Sequence, residues 1–178
     1  MPKLPLEVLK RRVARAKQLG LAYPQYASIL LGTGRDIVGF LFTCNSLGLR
    51  LDRALELPAT VSAKLNSIER CQKLLLSEPE DNPLRLATRL AKETQIHFAS
   101  ASRAPGEPAR WPEGRAAIRA ALDPLKLPSD TVVMIGTRSE ERAWADAAKL
   151  ARFLPAEQYF TASLRFVSRS ARPGASRP

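Results

Sequence analysis

Apolar positions return along this chain with two different periods, and the change between them divides it into helices and strands. Over Pro5–Leu19, Leu6, Leu9, Val13 and Ala16 recur at spacings of three and four, which predicts a helix with one apolar stripe. Pro5 suits the first turn, where a missing N–H is harmless, and Gly20 supplies the stop. Pro24 opens a second short helix that reaches Leu31 and breaks at Gly32-Thr33-Gly34. From Ile37 to Cys44 the residues are β-branched, aromatic and apolar, the composition of a buried strand. A third helix capped by Asp36 is the competing assignment. Pro5–Thr43 would then be three short helices, the last two resembling a helix-turn-helix. The recognition helix would be almost wholly apolar after Arg35, with no side chains to read base edges.

Leu57–Ser77 reads as a helix with Leu65, Ile68 and Leu75 inward, and Glu78–Pro83 as a polar turn. A helix follows over Pro83–Glu93, with Leu86 and Leu90 inward and Arg85, Arg89 and Lys92 outward. Beyond it the pattern alternates. Gln95–Ser100 reads as a strand, Ala104–Gly114 as a proline-rich loop, and Glu113–Asp123 as a helix stopped by Pro124. Thr131–Gly136 is a continuous apolar run of the kind buried on both faces of a parallel sheet. Thr137 and Glu140 predict a capping box that opens a helix to about Phe153. Pro155–Phe160 reads as a turn and Leu164–Val167 as an edge strand.

These elements predict an α/β fold, with a small, mostly parallel sheet in the C-terminal half and a helical N-terminal section packed on it. The expected organisation is a single domain over residues 1–168, its helical section about 1–94 and its α/β section about 95–168. Residues 169–178 are Ser, Arg, Pro, Gly and Ala with no acid, an expected disordered basic tail. Composition agrees with one domain: hydrophobic residues make up 45% of 178, and aromatics only 6%, so the core must be mainly aliphatic.

Charge changes the picture more. There are 28 Lys and Arg against 17 Asp and Glu, a net charge of +11, and 20 of the 28 are Arg. Such a field favours polyanions, and guanidinium groups grip phosphate and carboxylate in pairs of hydrogen bonds. Lys10, Arg11, Arg12, Arg15 and Lys17 line the first helix, making it the candidate surface for nucleic acid or an acidic protein partner. The longest apolar run, Ile37–Phe42, is too short to cross a bilayer, and Met1–Leu19 lacks the apolar stretch of a signal peptide. The cytoplasm is therefore the expected address, without membrane insertion. Cys44 and Cys71 have neither disulfide-framework nor zinc spacing.

No catalytic constellation is legible. His97 is the one histidine and falls inside a predicted strand, where a structural role is expected. HExxH and GxSxG are absent, and Gly32-Thr33-Gly34-Arg35 lacks both the third glycine of a dinucleotide loop and the Gly-Lys-Ser/Thr of a Walker loop. No cofactor or metal is expected. Trp144 is expected in the core; Trp111 has no assigned role. What remains is the carboxyl edge of the predicted sheet, where ligands of α/β folds bind. Ser100, Ser102 and Arg103 in one loop, and Gly136, Thr137, Arg138 and Ser139 in another, form a candidate anion site at a helix N-terminus.

The stretch Val132–Glu141, followed by an Ala-rich helix and Phe153–Phe160, resembles the last motif of haloacid-dehalogenase-type phosphatases. In that family an apolar strand ends in Gly-Asp, and the acid helps to hold magnesium; here Thr137 stands in its place. The family's nucleophile motif, Asp-x-Asp-x-Thr after an early strand, is missing. The resemblance spans about thirty of 178 residues. It implies the same α/β fold class without the phosphatase chemistry. The functional expectation is a non-catalytic regulatory or interaction protein. The alternative is an anion-binding or catalytically degenerate phosphatase-like domain.

Overall fold

Five parallel strands form the centre of the computed structural model, which describes residues 3–51 and 55–161. They are β1 (Gly39–Thr43), β2 (Gln72–Ser77), β3 (Ser100–Arg103), β4 (Val132–Gly136) and β5 (Arg152–Pro155), in the order β3-β2-β1-β4-β5. Side chains alternate across the sheet, so each strand feeds two cores. Phe40, Phe42, Leu75, Val133 and Ile135 face one layer. Leu41, Leu74, Leu76, Val132 and Met134 face the other.

The first layer holds α1 (Leu6–Gln18), α2 (Tyr23–Thr33), α4 (Ala59–Ser67) and α5 (Pro83–Thr94), through Ala16, Tyr26, Ile29, Val61, Leu65, Leu86 and Leu90. The second holds α6 (Trp111–Leu122) and α7 (Ser139–Ala147), through Ile118, Ala121, Leu122, Trp144 and Ala145. A short α3 (Cys44–Leu47) leaves the end of β1. The chain steps outward from β1 to β3, then returns along α6 to place β4 on the other side of β1. That reversal makes the gap between the carboxyl ends of β1 and β4 the switch point of a doubly wound sheet.

The α/β class holds, but the sheet is not confined to the C-terminal half, because its central strand β1 and the neighbouring β2 precede residue 94. Ile37–Cys44 contains strand β1 and lies in the core, so no helix-turn-helix forms. The helix predicted over Leu57–Ser77 is two elements. Ile68 turns extended, Arg70 takes φ 53°, and Gln72–Ser77 becomes β2. Leu74, Leu75 and Leu76 are apolar on both faces, and in such a run helical and strand periods coincide.

The strand predicted at Gln95–Ser100 begins instead at Ser100, since Gln95 caps α5 at φ 62°. His97 is consequently exposed and outside any strand. The helix predicted to Phe153 ends at Ala147; Lys149 at φ 55° turns the chain into edge strand β5. Residues 156–161 are helical, where the sequence predicts a turn over Pro155–Phe160. Leu164–Val167 and the basic tail lie outside the described residues. Trp144 is buried as expected, against Gly114 of α6, and Trp111 is 60% exposed.

Candidate functional site

The carboxyl edge is where the sequence placed an anion site, and the structure shows what each candidate does there. Ser100 pairs with Leu74, three residues before the end of β2, so it lies at the amino end of β3 and away from the edge. Ser102 is buried and donates to the carbonyl of Ala117 at 2.7 Å, tying β3 to α6. Arg103 reaches the edge and its Nε donates to the carbonyl of Asp81 at 3.0 Å. It is separated from β4 by β2 and β1, a span of about 14 Å at ordinary strand spacing.

The β4–α7 loop is closed by the chain itself. Glu141 is buried, and its Oε2 accepts the backbone N–H groups of Thr137 at 2.7 Å and Arg138 at 3.1 Å. The predicted partner, Glu140, instead stays on the surface. Gly136 is required here, because a Cβ would come within 2.5 Å of both that oxygen and the Phe153 ring. Thr137 and Ser139 are exposed. The Arg138 guanidinium lies 3.5 Å from Glu107 and 3.9 Å from Glu78, so its charge is already opposed. The candidate residues therefore do not converge on one free anion pocket.

A cleft of about 890 Å³ does open at this edge, and its charged lining is Glu78, Glu80, Glu107 and Glu140 with Arg138. Burial raises the Glu78 carboxyl; Arg138 opposes this, while Glu141, Glu80 and Asp81 reinforce it. On β1 the switch point carries Thr43, whose side chain and backbone form a closed hydrogen-bond box with Ser46. Burial pushes the Cys44 thiol up to about 12, so it is no thiolate nucleophile near neutral pH. Among the described residues no group of three or more His, Cys, Asp and Glu is placed to hold a metal, and no helix is long and apolar enough to cross a membrane.

The basic first helix divides in two. Arg15 faces inward, with a side chain only 15% exposed. Its Nε bonds Asp36 Oδ2 at 2.9 Å, Nη1 reaches Gln18 and the carbonyl of Glu69, and Nη2 reaches the carbonyls of Ile37 and Arg70. It fastens α1 to the segments entering β1 and β2, a structural task. Lys10, Arg11 and Lys17 are exposed and Arg12 is half-buried. The predicted apolar stripe is only partly covered: Ala16 is buried, but Leu6 is 64% and Val13 46% exposed. Leu6, Lys10, Val13 and Lys17 follow one another at helical spacing, so apolar and cationic side chains alternate along one open face. There Lys10 makes an exposed ion pair with Glu7 at 3.2 Å.

Fold and edge together define a doubly wound α/β domain. No protein-family model and no curated protein matches the sequence. Among solved structures it is similar to an uncharacterized protein from Corynebacterium glutamicum ATCC 13032 Kitasato, at 16% identity and a TM-score of 0.47, covering 79% of this chain and 99% of that one.

Proposed function

We propose that this chain is a non-catalytic interaction protein whose first helix docks an acidic segment of a protein partner. The observation that carries the reading is the open stripe Leu6, Lys10, Val13 and Lys17 on a helix held from behind by Arg15. Lysines alone would suit any polyanion. Nucleic-acid backbone offers no apolar counterpart to Leu6 and Val13, whereas an acidic amphipathic segment offers both chemistries. The test is fluorescence anisotropy with a labelled peptide of alternating Glu and Leu, set against labelled single-stranded DNA. Lys10→Glu with Lys17→Glu should weaken the peptide about tenfold, and Leu6→Ser should weaken the peptide but not the DNA. Equal binding of both probes, insensitive to Leu6→Ser, would move the assignment to nucleic acid.

A second reading rests on the register at the switch point. Phe42 pairs with Ile135, which sets Thr43 beside Gly136 and Thr137. Thr43, at the end of the early central strand, and the next two residues, Cys44 and Asn45, stand where the resembled phosphatases carry Asp-x-Asp. On this reading the domain keeps the phosphatase scaffold with its acids replaced. Introducing Thr43→Asp, Asn45→Asp and Thr137→Asp together should make the melting temperature rise on adding magnesium. No magnesium response in a folded triple variant counts against it.

A further inference from the structure

The β5 edge of the sheet carries a groove distinct from the carboxyl-edge cleft and from the α1 stripe. Among the described residues β5 pairs only with β4, and beside its outer edge runs a groove of about 840 Å³ between α2 and α7. Two exposed guanidinium groups flank it, one from each layer of the domain. Arg152 belongs to β5 and points to the α2 side, where its Nη2 donates to Ser28 Oγ at 3.1 Å. Arg142 comes from α7 on the other side and lies 4.7 Å from the centre of the Phe153 ring. Neither forms a carboxylate ion pair among the described residues, although Asp146 lines the same groove. Both are thus held by neutral groups, Ser28 and the Phe153 ring, with no carboxylate in direct contact.

We infer that this groove receives an extended acidic segment of a partner protein, laid along β5 with two consecutive carboxylates. The spacing argument is geometric. Successive side chains of a strand point to opposite faces, so adjacent acidic residues would meet Arg152 on one face and Arg142 on the other. An exposed sheet edge takes up extended peptides in this way. Pro155 lacks an N–H and ends the ladder, so the pairing is short and the two arginines carry the specificity. An acidic helix fits less well, because its neighbouring residues diverge by a hundred degrees instead of straddling a plane.

The site is separate from the α1 stripe, and the test keeps the two apart. The probe is a fluorescein-labelled peptide with an adjacent Glu-Asp pair flanked by Thr and Val; its comparison peptide separates the two acids by one Ser. Anisotropy at low salt should show the adjacent-acid peptide binding several-fold more tightly than the spaced one. Arg142→Ala and Arg152→Ala should each weaken it about twofold to fivefold, as expected for one exposed charged contact. Lys10→Glu on α1 should leave it unchanged. Equal affinity for the two peptides, complete displacement by millimolar inorganic phosphate, or loss with Lys10→Glu alone would overturn the assignment. Both arginines are exposed, so their variants should fold, and the melting temperature of each checks this.

Discussion

The carboxylate of Glu141 accepts the backbone N–H of Thr137 at 2.7 Å, filling from within the place where a bound anion would sit. The same oxygen takes the N–H of Arg138, so two successive donors of the β4–α7 turn face a fixed negative charge. The contact takes up two N–H groups of the loop, those of Thr137 and Arg138, that a bound anion would otherwise use.

Its removal should have two effects. Glu141→Ala leaves two N–H groups without their partner and should destabilise the domain by about 2 kcal/mol in urea denaturation. Inorganic phosphate should then raise the melting temperature of the variant and not of the wild type. Equal phosphate responses would show that Glu141 does not occupy an anion position.

Gly114 tests the contact between α6 and α7. A Cβ there would lie 2.1 Å from the Trp144 ring. Alanine ordinarily favours a helix interior over glycine by about 1 kcal/mol, but overpacking of this kind costs about 1–3 kcal/mol or more. Gly114→Ala should therefore destabilise. A stabilised variant would mean that Trp144 has room to move.

Arg15 and Arg11 should separate sharply despite standing on one helix. Arg15→Ala removes the donors to Asp36 and to three backbone carbonyls, and should cost about 2–4 kcal/mol. Lys cannot fan out to the same acceptors, so Arg15→Lys should recover little. Arg11→Ala should lie within about 0.5 kcal/mol of wild type. Chemical denaturation of the three variants checks the order.

Alkaline pH should show a maximum in stability. Burial brings the Lys64 ammonium from 10.5 down to about 8, so between those values the unfolded chain binds the extra proton and stability rises with pH. Burial also raises the Cys44 and Cys71 thiols from 9.0 to about 12 and raises the Tyr159 hydroxyl, so these groups stay protonated in the fold while the unfolded chain ionises, and above about pH 9 the two thiols outweigh Lys64. Their effect is lost stability above about pH 9. The melting temperature should accordingly climb from pH 8 to about 9 and then fall, and Lys64→Met should remove most of the climb.

The sequence by itself determined the class of the fold, because Thr131–Gly136 and Ile37–Cys44 are apolar enough to be buried on both faces whatever surrounds them. It also determined that the chain is basic, that helices cover Pro5–Leu19 and Pro83–Glu93, and that Trp144 is core. It did not determine where several elements stop. The chain turns at Arg70, Gln95, Lys126 and Lys149 with positive φ, and none of these is a glycine to announce the turn. Only the tertiary structure made Gln72–Ser77 a strand beside β1, since its three leucines, Leu74 to Leu76, suit a helix or a strand equally and take whichever form completes the sheet. The site followed the same logic. Ser102, Arg138 and Arg15 are the residue types that bind anions, but their partners Ala117, Glu107, Glu78 and Asp36 lie 15 to 60 residues away and are brought to them by packing alone.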